Sequence, residues 1–498
     1  MVLDRTRLTE VLGVPAPPGA GAVSGVTHDS REAGPGVAFV AVPGFKRDGT
    51  GFAAEAVRRG SPLVVAERDV PGAPTAVVPD ARSALAALAT AVYGNPSERM
   101  EVYGVTGTNG KTTTSYALYA ILAAAHGERA CGLMTTAGTV SGGERPPAPP
   151  VRTTPEAPEV QRLLAGMLER GVRRVVLEVS SHGIALGRVA GTRFAGALFT
   201  NLTRDHLDLH GSMEEYYRTK RELFRWVPPG YPKLANASDA HGRRLAGEIE
   251  GVKTFAGIGD ADYRVTEVRA ERGGTAFALV HGGRSLGIRT PLLGPYNVLN
   301  VAGAVAFALE VGVEGETAAR AVGEMPQVPG RFERVSAAGE FGFEVIVDYA
   351  HTDVGLEAVL KVARGVAEAN GNAGPRSGRV ICVFGAAGER DGDKRPKMGR
   401  VASELADRSI VTTDDAYSED PAKIAREVAI GAAAEPERSE IVLDRREAIR
   451  RALGEAGAGD VVVVAGKGHE TVQHLPEGDV VFHDASVVRE LLRELERK

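Results

Sequence analysis

Short apolar runs of strand length recur along the chain, each closed by turn-forming residues and separated by stretches with helical spacing. Before residue 98 the runs 37–42, 63–66 and 75–78 predict strands between alanine-rich helices, and Asn95-Pro96-Ser97 closes the segment as a turn. A second series begins with the run 102–105, a glycine loop and a helix over 111–125. It continues through strands at 175–179 and 197–200, a helix over 214–226 and a strand near Leu234. Residues 273–293 read as a hairpin-bearing insertion. After Pro329-Gly330-Arg331 a third series places strands at 345–348, 380–384, 409–412 and 461–465, with helices between them and a Gly/Asn/Pro-rich surface loop over 369–378. Strands alternating with helices predict an α/β fold with mainly parallel sheets covered on both faces.

A chain of 498 residues is long enough for about three domains. The expected divisions are 1–98, 99–328 and 329–498. Composition is that of a globular protein, with 43% hydrophobic and 25% charged residues, so each domain can bury a core. The net charge of −5 carries no block of one sign, which argues against a nucleic-acid or anionic-membrane surface. No apolar run approaches the ~20 residues that span a bilayer. The start of the chain is charged and amphipathic rather than an apolar leader core. A cytoplasmic location is therefore expected; the protein is also expected to be a monomer. Cys131 and Cys382 each lie in an apolar strand and read as small core residues, not a disulfide.

Chemistry concentrates at strand ends. Gly107-Thr108-Asn109-Gly110-Lys111-Thr112-Thr113 follows a strand and opens a helix. Backbone N–H groups of such a loop turn toward phosphate oxygens, and the helix N-terminus adds its positive end. Lys111 is placed for the β/γ-phosphates of ATP and the Thr112 hydroxyl for Mg²⁺, although Val105 breaks the strict phosphate-loop spacing. Glu178 ends an apolar strand, where a lone carboxylate is costly unless paired or bound to metal. His206, in Thr200-Asn201-Leu202-Thr203-Arg204-Asp205-His206, could be a metal ligand, a base or a histidine satisfied by its neighbours. Lys220, on the helix that follows, would ordinarily be a solvated surface residue.

Eight segments then carry a resemblance over essentially the whole chain. They are GTNGKTT from Gly107, EVSSHG from Glu178, FTNLTRDHLDLHG from Phe199, YYRTK from Tyr216, LLGPYNVLN from Leu292, PGRFE from Pro329, VDYAH from Val347 and AGKGHE from Ala465. Their order resembles that of the Mur ligases, on the UDP-N-acetylmuramoyl-tripeptide synthetase (MurE) side of the family. The resemblance implies a three-domain architecture: an N-terminal α/β domain binding the UDP-muramoyl substrate, a central ATP-binding parallel sheet of the P-loop ATPase type, and a C-terminal Rossmann-like domain binding the amino acid. It implies an ATP-dependent amide-forming ligase of peptidoglycan precursor synthesis, acting on UDP-N-acetylmuramoyl-L-alanyl-D-glutamate through an acyl phosphate. Lys220 matches the family's carboxylated lysine, whose carbamate is implied to help hold a second Mg²⁺, with His206 and Glu178 as the other protein ligands and Thr112 on the first Mg²⁺. Asn297 and Asn300 match the adenine side, and Arg331 and Asp348 match residues reaching ATP. Ser30 (within Asp29-Ser30-Arg31), Thr153, Thr154, Ser180 and Arg188 match the uridine-nucleotide substrate side. Arg390, Gly466 and Glu470 match contacts to the incoming amino acid.

The chain departs from the family at Asp353, where a proline is usual, and at Leu186, where glutamine is frequent. The family's diaminopimelate motif DNPR reads Asp414-Asp415-Ala416-Tyr417. Tyr417 lacks the fork that an arginine offers a distal carboxylate, and Asp415 places a charge where a neutral asparagine stands. On that ground L-lysine, or a relative such as L-ornithine, is the expected amino acid, with meso-diaminopimelate the alternative. Another Mur or folylpolyglutamate-type ligase shares the central domain but not Asp29-Ser30-Arg31 or Glu470. A nucleotide-driven switch needs neither Lys220 nor His206.

Overall fold

The computed structural model describes residues 1–44, 48–145, 152–271, 273–371, 378–432 and 436–496; of the loop expected over 369–378, residues 372–377 lie outside these. Two compact units are formed, one from 1–267, 278–288 and 299–322, the other from 268–277, 289–298 and 323–498.

In the first unit, Gly25–Thr27, Val37–Val40, Val64–Ala66 and Thr75–Val77 pair in sequence order as a parallel sheet. The alanine-rich helix Ala81–Val92 buries Ala81, Leu85, Leu88 and Ala89, and the Asp80 carboxylate caps its start by accepting from the N–H groups of Arg82 and Ser83. A second sheet has ten strands. Glu101–Thr106 lies between Arg174–Glu178 and Phe194–Phe199, parallel to both. A strand flanked this way leaves a crevice at its carboxyl end, where open α/β sheets hold ligands. Cys131–Thr135 extends one side in parallel and Gly138–Ser141 returns antiparallel, a small hairpin the hydrophobic pattern did not reveal. The hairpin expected over 273–293 is found as Gly274–His281 and Arg284–Thr290, and it prolongs the ten-stranded sheet beyond Tyr263–Glu271.

The second unit holds six strands in the order Glu333–Arg334, Glu344–Asp348, Val461–Ala465, Val380–Phe384, Arg408–Val411 and Ser439–Ile441, all parallel but the first. Val461–Ala465 is apolar throughout because both its faces are covered. Val461, Val463 and Ala465 join a core with Leu356, Leu360 and Met398, while Val462 and Val464 join one with Ile449, Leu453 and Leu491. Asp353 opens the helix Asp353–Gly371, where a carboxylate suits the positive helix end. The departure from proline therefore keeps a residue that favours the helix start.

One buried ion pair ties this unit together. Arg445 donates from Nε and Nη2 to Asp484 at 2.8 and 2.7 Å, both side chains fully buried, and Nη2 also reaches the Ala465 carbonyl at 2.9 Å. Asp484→Ala would strand a guanidinium in the core, at a cost of about 3–5 kcal/mol. The urea midpoint of the variant should fall accordingly; an unchanged midpoint would show the pair to be dispensable. Cys131 and Cys382 are buried free thiols. Among the described residues no helix is long and apolar enough to cross a membrane.

Candidate functional site

The loop after Glu101–Thr106 runs into the helix Lys111–His126. Gly107 and Gly110 have φ of 150° and 82°. A Cβ at these positions would lie 1.9 Å from Thr200 Oγ1 and 2.1 Å from Asn300 Oδ1, so the loop requires glycine for space as well as backbone shape. The loop is pinned from the neighbouring strand's end. Asn109 N–H donates to Asn201 Oδ1 at 2.9 Å, and Thr108 Oγ1 meets the Thr203 carbonyl at 3.2 Å and the Tyr216 hydroxyl at 3.1 Å. Thr113 is buried in the first helical turn.

Glu178 is 1% exposed, as its place at the end of an apolar strand requires. Its Oε2 accepts from Thr112 Oγ1 at 3.0 Å and from Thr136 N–H and Oγ1 at 3.1 and 3.3 Å, and Lys111 Nζ stands 4.0 Å from Oε1. Lys111 also donates to the Thr108 carbonyl at 2.9 Å. Thr136 was not foreseen, because a lone threonine in a turn carries no signal. Among the described residues no three His, Cys, Asp or Glu side chains gather as a metal cage. A carboxylate beside a hydroxyl fits Mg²⁺ nonetheless, since that ion takes few protein oxygens and completes its shell with phosphate and water.

Lys220 is not a surface residue: it is 1% exposed on the helix Met213–Trp226, and its Nζ donates to the Gly107 carbonyl at 2.8 Å. Its ammonium lies 4.8 Å from the centre of the Tyr216 ring. Burial, and then the charge of Lys111, push its pKa well down. His206 has φ 52°, a left-handed conformation unusual outside glycine, and its ring packs edge-on against His182 at 4.7 Å. Burial and the adjoining His206 hold His182 down at about 4. His182 and Tyr216 were likewise missed, although both lie inside segments that carry the resemblance.

On the substrate side, Thr154 Oγ1 donates to the Glu178 carbonyl at 3.1 Å and accepts from Ser180 N–H at 3.0 Å, and Ser180 Oγ caps a short helix through Gly183 N–H. Arg188 bonds the Thr154 carbonyl at 3.2 Å and pairs with Glu156 at 2.9 Å, which fixes it beside Thr154 and Ser180. Thr153 precedes this group and is half-buried. Leu186 ends the helix Ser181–Ala185, where its carbonyl accepts from Arg82 at 3.3 Å. Ser30 is buried in the four-stranded part, donating to Glu55 at 2.9 Å.

Asn300 packs against Gly110. In the second unit Asn297 donates to the Leu293 carbonyl at 2.8 Å. Asp348 accepts from the N–H groups of Phe332 and Ala350 at 2.6 and 2.8 Å, and burial raises its pKa. Arg331 lies over the Tyr349 ring at 4.3 Å.

The residues assigned to the amino acid gather at the carboxyl edge of the six-stranded sheet. Gly466 leaves room for Asp414, whose Oδ2 would be 2.3 Å from a Cβ there. Lys467, fully buried, donates to Asp415 Oδ1 at 2.7 Å and to Glu470 Oε2 at 2.8 Å. Burial opposes its charge, yet Asp414, Glu470 and Asp415 together raise its pKa. Asp415 Oδ1 also accepts from His474 N–H at 2.9 Å. This corrects the reading of Asp415 as a carboxylate awaiting a substrate ammonium. Its charge is already met by Lys467, so it gives no ground for preferring L-lysine. Tyr417 stacks on His474, and Arg390 lies 5.9 Å from its ring centre.

Residues 22–93 match the Mur ligase family catalytic domain, 105–308 the Mur ligase middle domain, and 330–468 the Mur ligase glutamate ligase domain. The chain is 41% identical over 480 residues to the UDP-N-acetylmuramoyl-L-alanyl-D-glutamate–2,6-diaminopimelate ligase of Solibacter usitatus, covering 95% of this chain and 94% of the relative. It is 38% identical to the protein of the same name from Streptomyces coelicolor, covering 98% and 96%. A solved structure of a ligase with that name superposes with a TM-score of 0.65 at 29% identity, covering 98% of this chain and 99% of that one. Folylpolyglutamate synthase of Mycobacterium tuberculosis shares the fold at 17% identity, with a TM-score of 0.63 over 82% of this chain and 94% of that one. The chain belongs to the Mur ligase family of ATP-dependent, amide-bond-forming ligases.

Proposed function

We propose that this protein joins meso-diaminopimelate to the γ-carboxylate of D-glutamate in UDP-N-acetylmuramoyl-L-alanyl-D-glutamate, in the cytoplasm, as a step of peptidoglycan precursor synthesis. The observation that carries the reaction type is the convergence of Lys111, Thr112, Glu178 and the buried Lys220 on one glycine loop. Relatives named for 2,6-diaminopimelate support the choice of amino acid, and the Lys467–Asp415 pair removes the part of the argument against it that rested on Asp415.

In this reading residues 1–98 bind the uridine nucleotide through Ser30, 99–328 bind ATP, and 329–498 bind the amino acid. A carboxylate cannot form an amide in water without activation. Its oxygen takes the γ-phosphoryl group of ATP, ADP leaves, and the amine then displaces phosphate from the acyl phosphate. Phosphoryl transfer needs chiefly positioning and neutralised charge. Lys111 sits at the helix N-terminus for that purpose. Thr112 and Glu178 would hold one Mg²⁺, and His206 with carboxylated Lys220 a second; the ions would screen the phosphate charge. Lys220 suits carboxylation because its burial favours the neutral amine that adds CO₂. Thr153, Thr154, Ser180 and Arg188 would hold the muramoyl-dipeptide, with Asn297, Asn300, Arg331 and Asp348 on the nucleotide.

ADP release measured with the UDP-muramoyl-dipeptide and a panel of L-lysine, L-ornithine and meso-diaminopimelate tests the reading. A preference for meso-diaminopimelate of at least about tenfold is expected, the worth of one well-placed carboxylate contact. Preference for L-lysine would overturn the amino-acid assignment. ADP release that ignores the muramoyl substrate would overturn the ligase reading of the site.

A further inference from the structure

Four neighbouring strands of the ten-stranded sheet, Arg174–Glu178, Glu101–Thr106, Phe194–Phe199 and Lys233–Asn236, run parallel. Their carboxyl ends carry the phosphate loop and Glu178, so their starts share the opposite edge. That edge is basic. Arg173 and Arg174 stand at the start of the first strand, Arg99 two residues before the second, Arg193 directly before the third, and Tyr231 two before the fourth. The side chains line a cavity of about 380 Å³. Small-molecule sites occupy ~300–1,000 Å³, and this cavity falls within that range.

The guanidinium charges of this cavity are only partly answered. Arg174 Nε pairs with Glu101 at 3.0 Å. Arg173 donates from Nη1 to the Leu168 and Val172 carbonyls at 3.2 and 2.9 Å, which fixes the side chain but leaves its charge uncancelled. Arg193 donates to the Tyr231 hydroxyl at 3.2 Å, with its guanidinium 5.8 Å from the ring centre. Among the described residues the Arg99 side chain has neither hydrogen bond nor ion pair. Four guanidinium groups thus share the cavity with two carboxylates, Glu98 and Glu101, a surplus of two positive charges in a chain whose net charge is −5. A concave site lined by one sign focuses its field and concentrates counter-ions.

We propose that this cavity is an anion site separate from the nucleotide and muramoyl sites, and that it takes a phosphate dianion, free or carried on a small molecule. A dianion matches the surplus of two charges, and guanidinium forks pair with phosphate oxygens through parallel N–H bonds. The Tyr231 hydroxyl accepts from Arg193 and so keeps its own proton to donate to a further oxygen. A bound phosphate ties Arg99, on the segment entering the central sheet, to Arg173 and Arg193 at the starts of its neighbours. Ser97 Oγ already accepts from Arg193 N–H at 3.0 Å across the same join. The site lies at the far end of the strands from Lys111, so its occupation is separable from ligase chemistry.

Titration calorimetry on the full-length protein tests this, with Mg²⁺ and a non-hydrolysable ATP analogue saturating the phosphate loop. The probes are inorganic phosphate and glucose 6-phosphate. One site per chain is expected, with Kd about 1 mM or tighter. Arg99→Gln and Arg193→Gln should each weaken binding about tenfold, the worth of one guanidinium–phosphate contact, and together abolish it. ADP formation with the UDP-muramoyl-dipeptide should be unchanged in both variants. Arg99→Gln breaks no contact of the folded chain, so its thermal midpoint should match that of the unaltered protein, and its lost affinity then reports the site alone. Arg188→Ala should bind both probes as before. Tighter binding of glucose 6-phosphate would identify a phosphorylated small molecule as the ligand, and equal binding the free ion; either supports the site. No heat with either probe at about ten times the expected Kd, binding that survives the double variant, or binding lost in Arg188→Ala would overturn the proposal and leave the ligase reading intact.

Discussion

Lys220→Ala should lower the rate of ADP formation roughly a thousandfold, the loss typical of removing a group that meets developing charge in a closed site. Lys220 has no solvent to justify its length: its Nζ is spent on the Gly107 carbonyl in a buried position next to a second lysine. An ammonium there is disfavoured twice, by burial and by Lys111, and a neutral amine can add CO₂ to become an anion. The truncation leaves a space the shape of the missing carbamate stem. Formate or acetate at high concentration should therefore restore part of the activity to Lys220→Ala and none to Lys220→Gln, whose amide fills that space. Full activity of the alanine variant without added carboxylate would remove Lys220 from the reaction.

Much of this centre could be read before any coordinates. The strand–loop–helix at Gly107 to Thr113 announces itself because an apolar run, paired glycines and a lysine at a helix start have few other uses. Glu178 was legible because one carboxylate in an apolar strand is costly. What the linear pattern hides is who answers each charge. Thr136 meets Glu178 from a turn 42 residues away, and Lys467 meets Asp415 across 52. Asp415 considered alone argues for a cationic substrate; considered with Lys467 it argues for nothing. The same blindness made Lys220 look like a surface lysine, since only the packing of its helix against the glycine loop buries it.

Lys111→Ala is the second large effect expected, a fall of about a thousandfold or more in kcat/KM for ATP, because Lys111 brings its charge to the phosphate loop from the helix N-terminus. Lys111 rests on the Thr108 carbonyl at 2.9 Å and 4.0 Å from Glu178, within one side-chain swing of any phosphate on the loop. Arginine should not substitute. Its planar fork cannot take the position of a compact ammonium between a carbonyl and a carboxylate. The two lysines are also coupled, since the charge of Lys111 is part of what keeps Lys220 neutral. Removing Lys111 relaxes that pressure and so lowers the fraction of Lys220 able to carry CO₂, which means Lys111→Ala already loses part of what Lys220→Ala loses. The double variant should accordingly fall well short of the product of the two single losses, as groups that act as one unit do. Steady-state rates for the four proteins decide it: multiplicative losses would show that the two lysines work independently, and that the loop and the buried amine are separate devices.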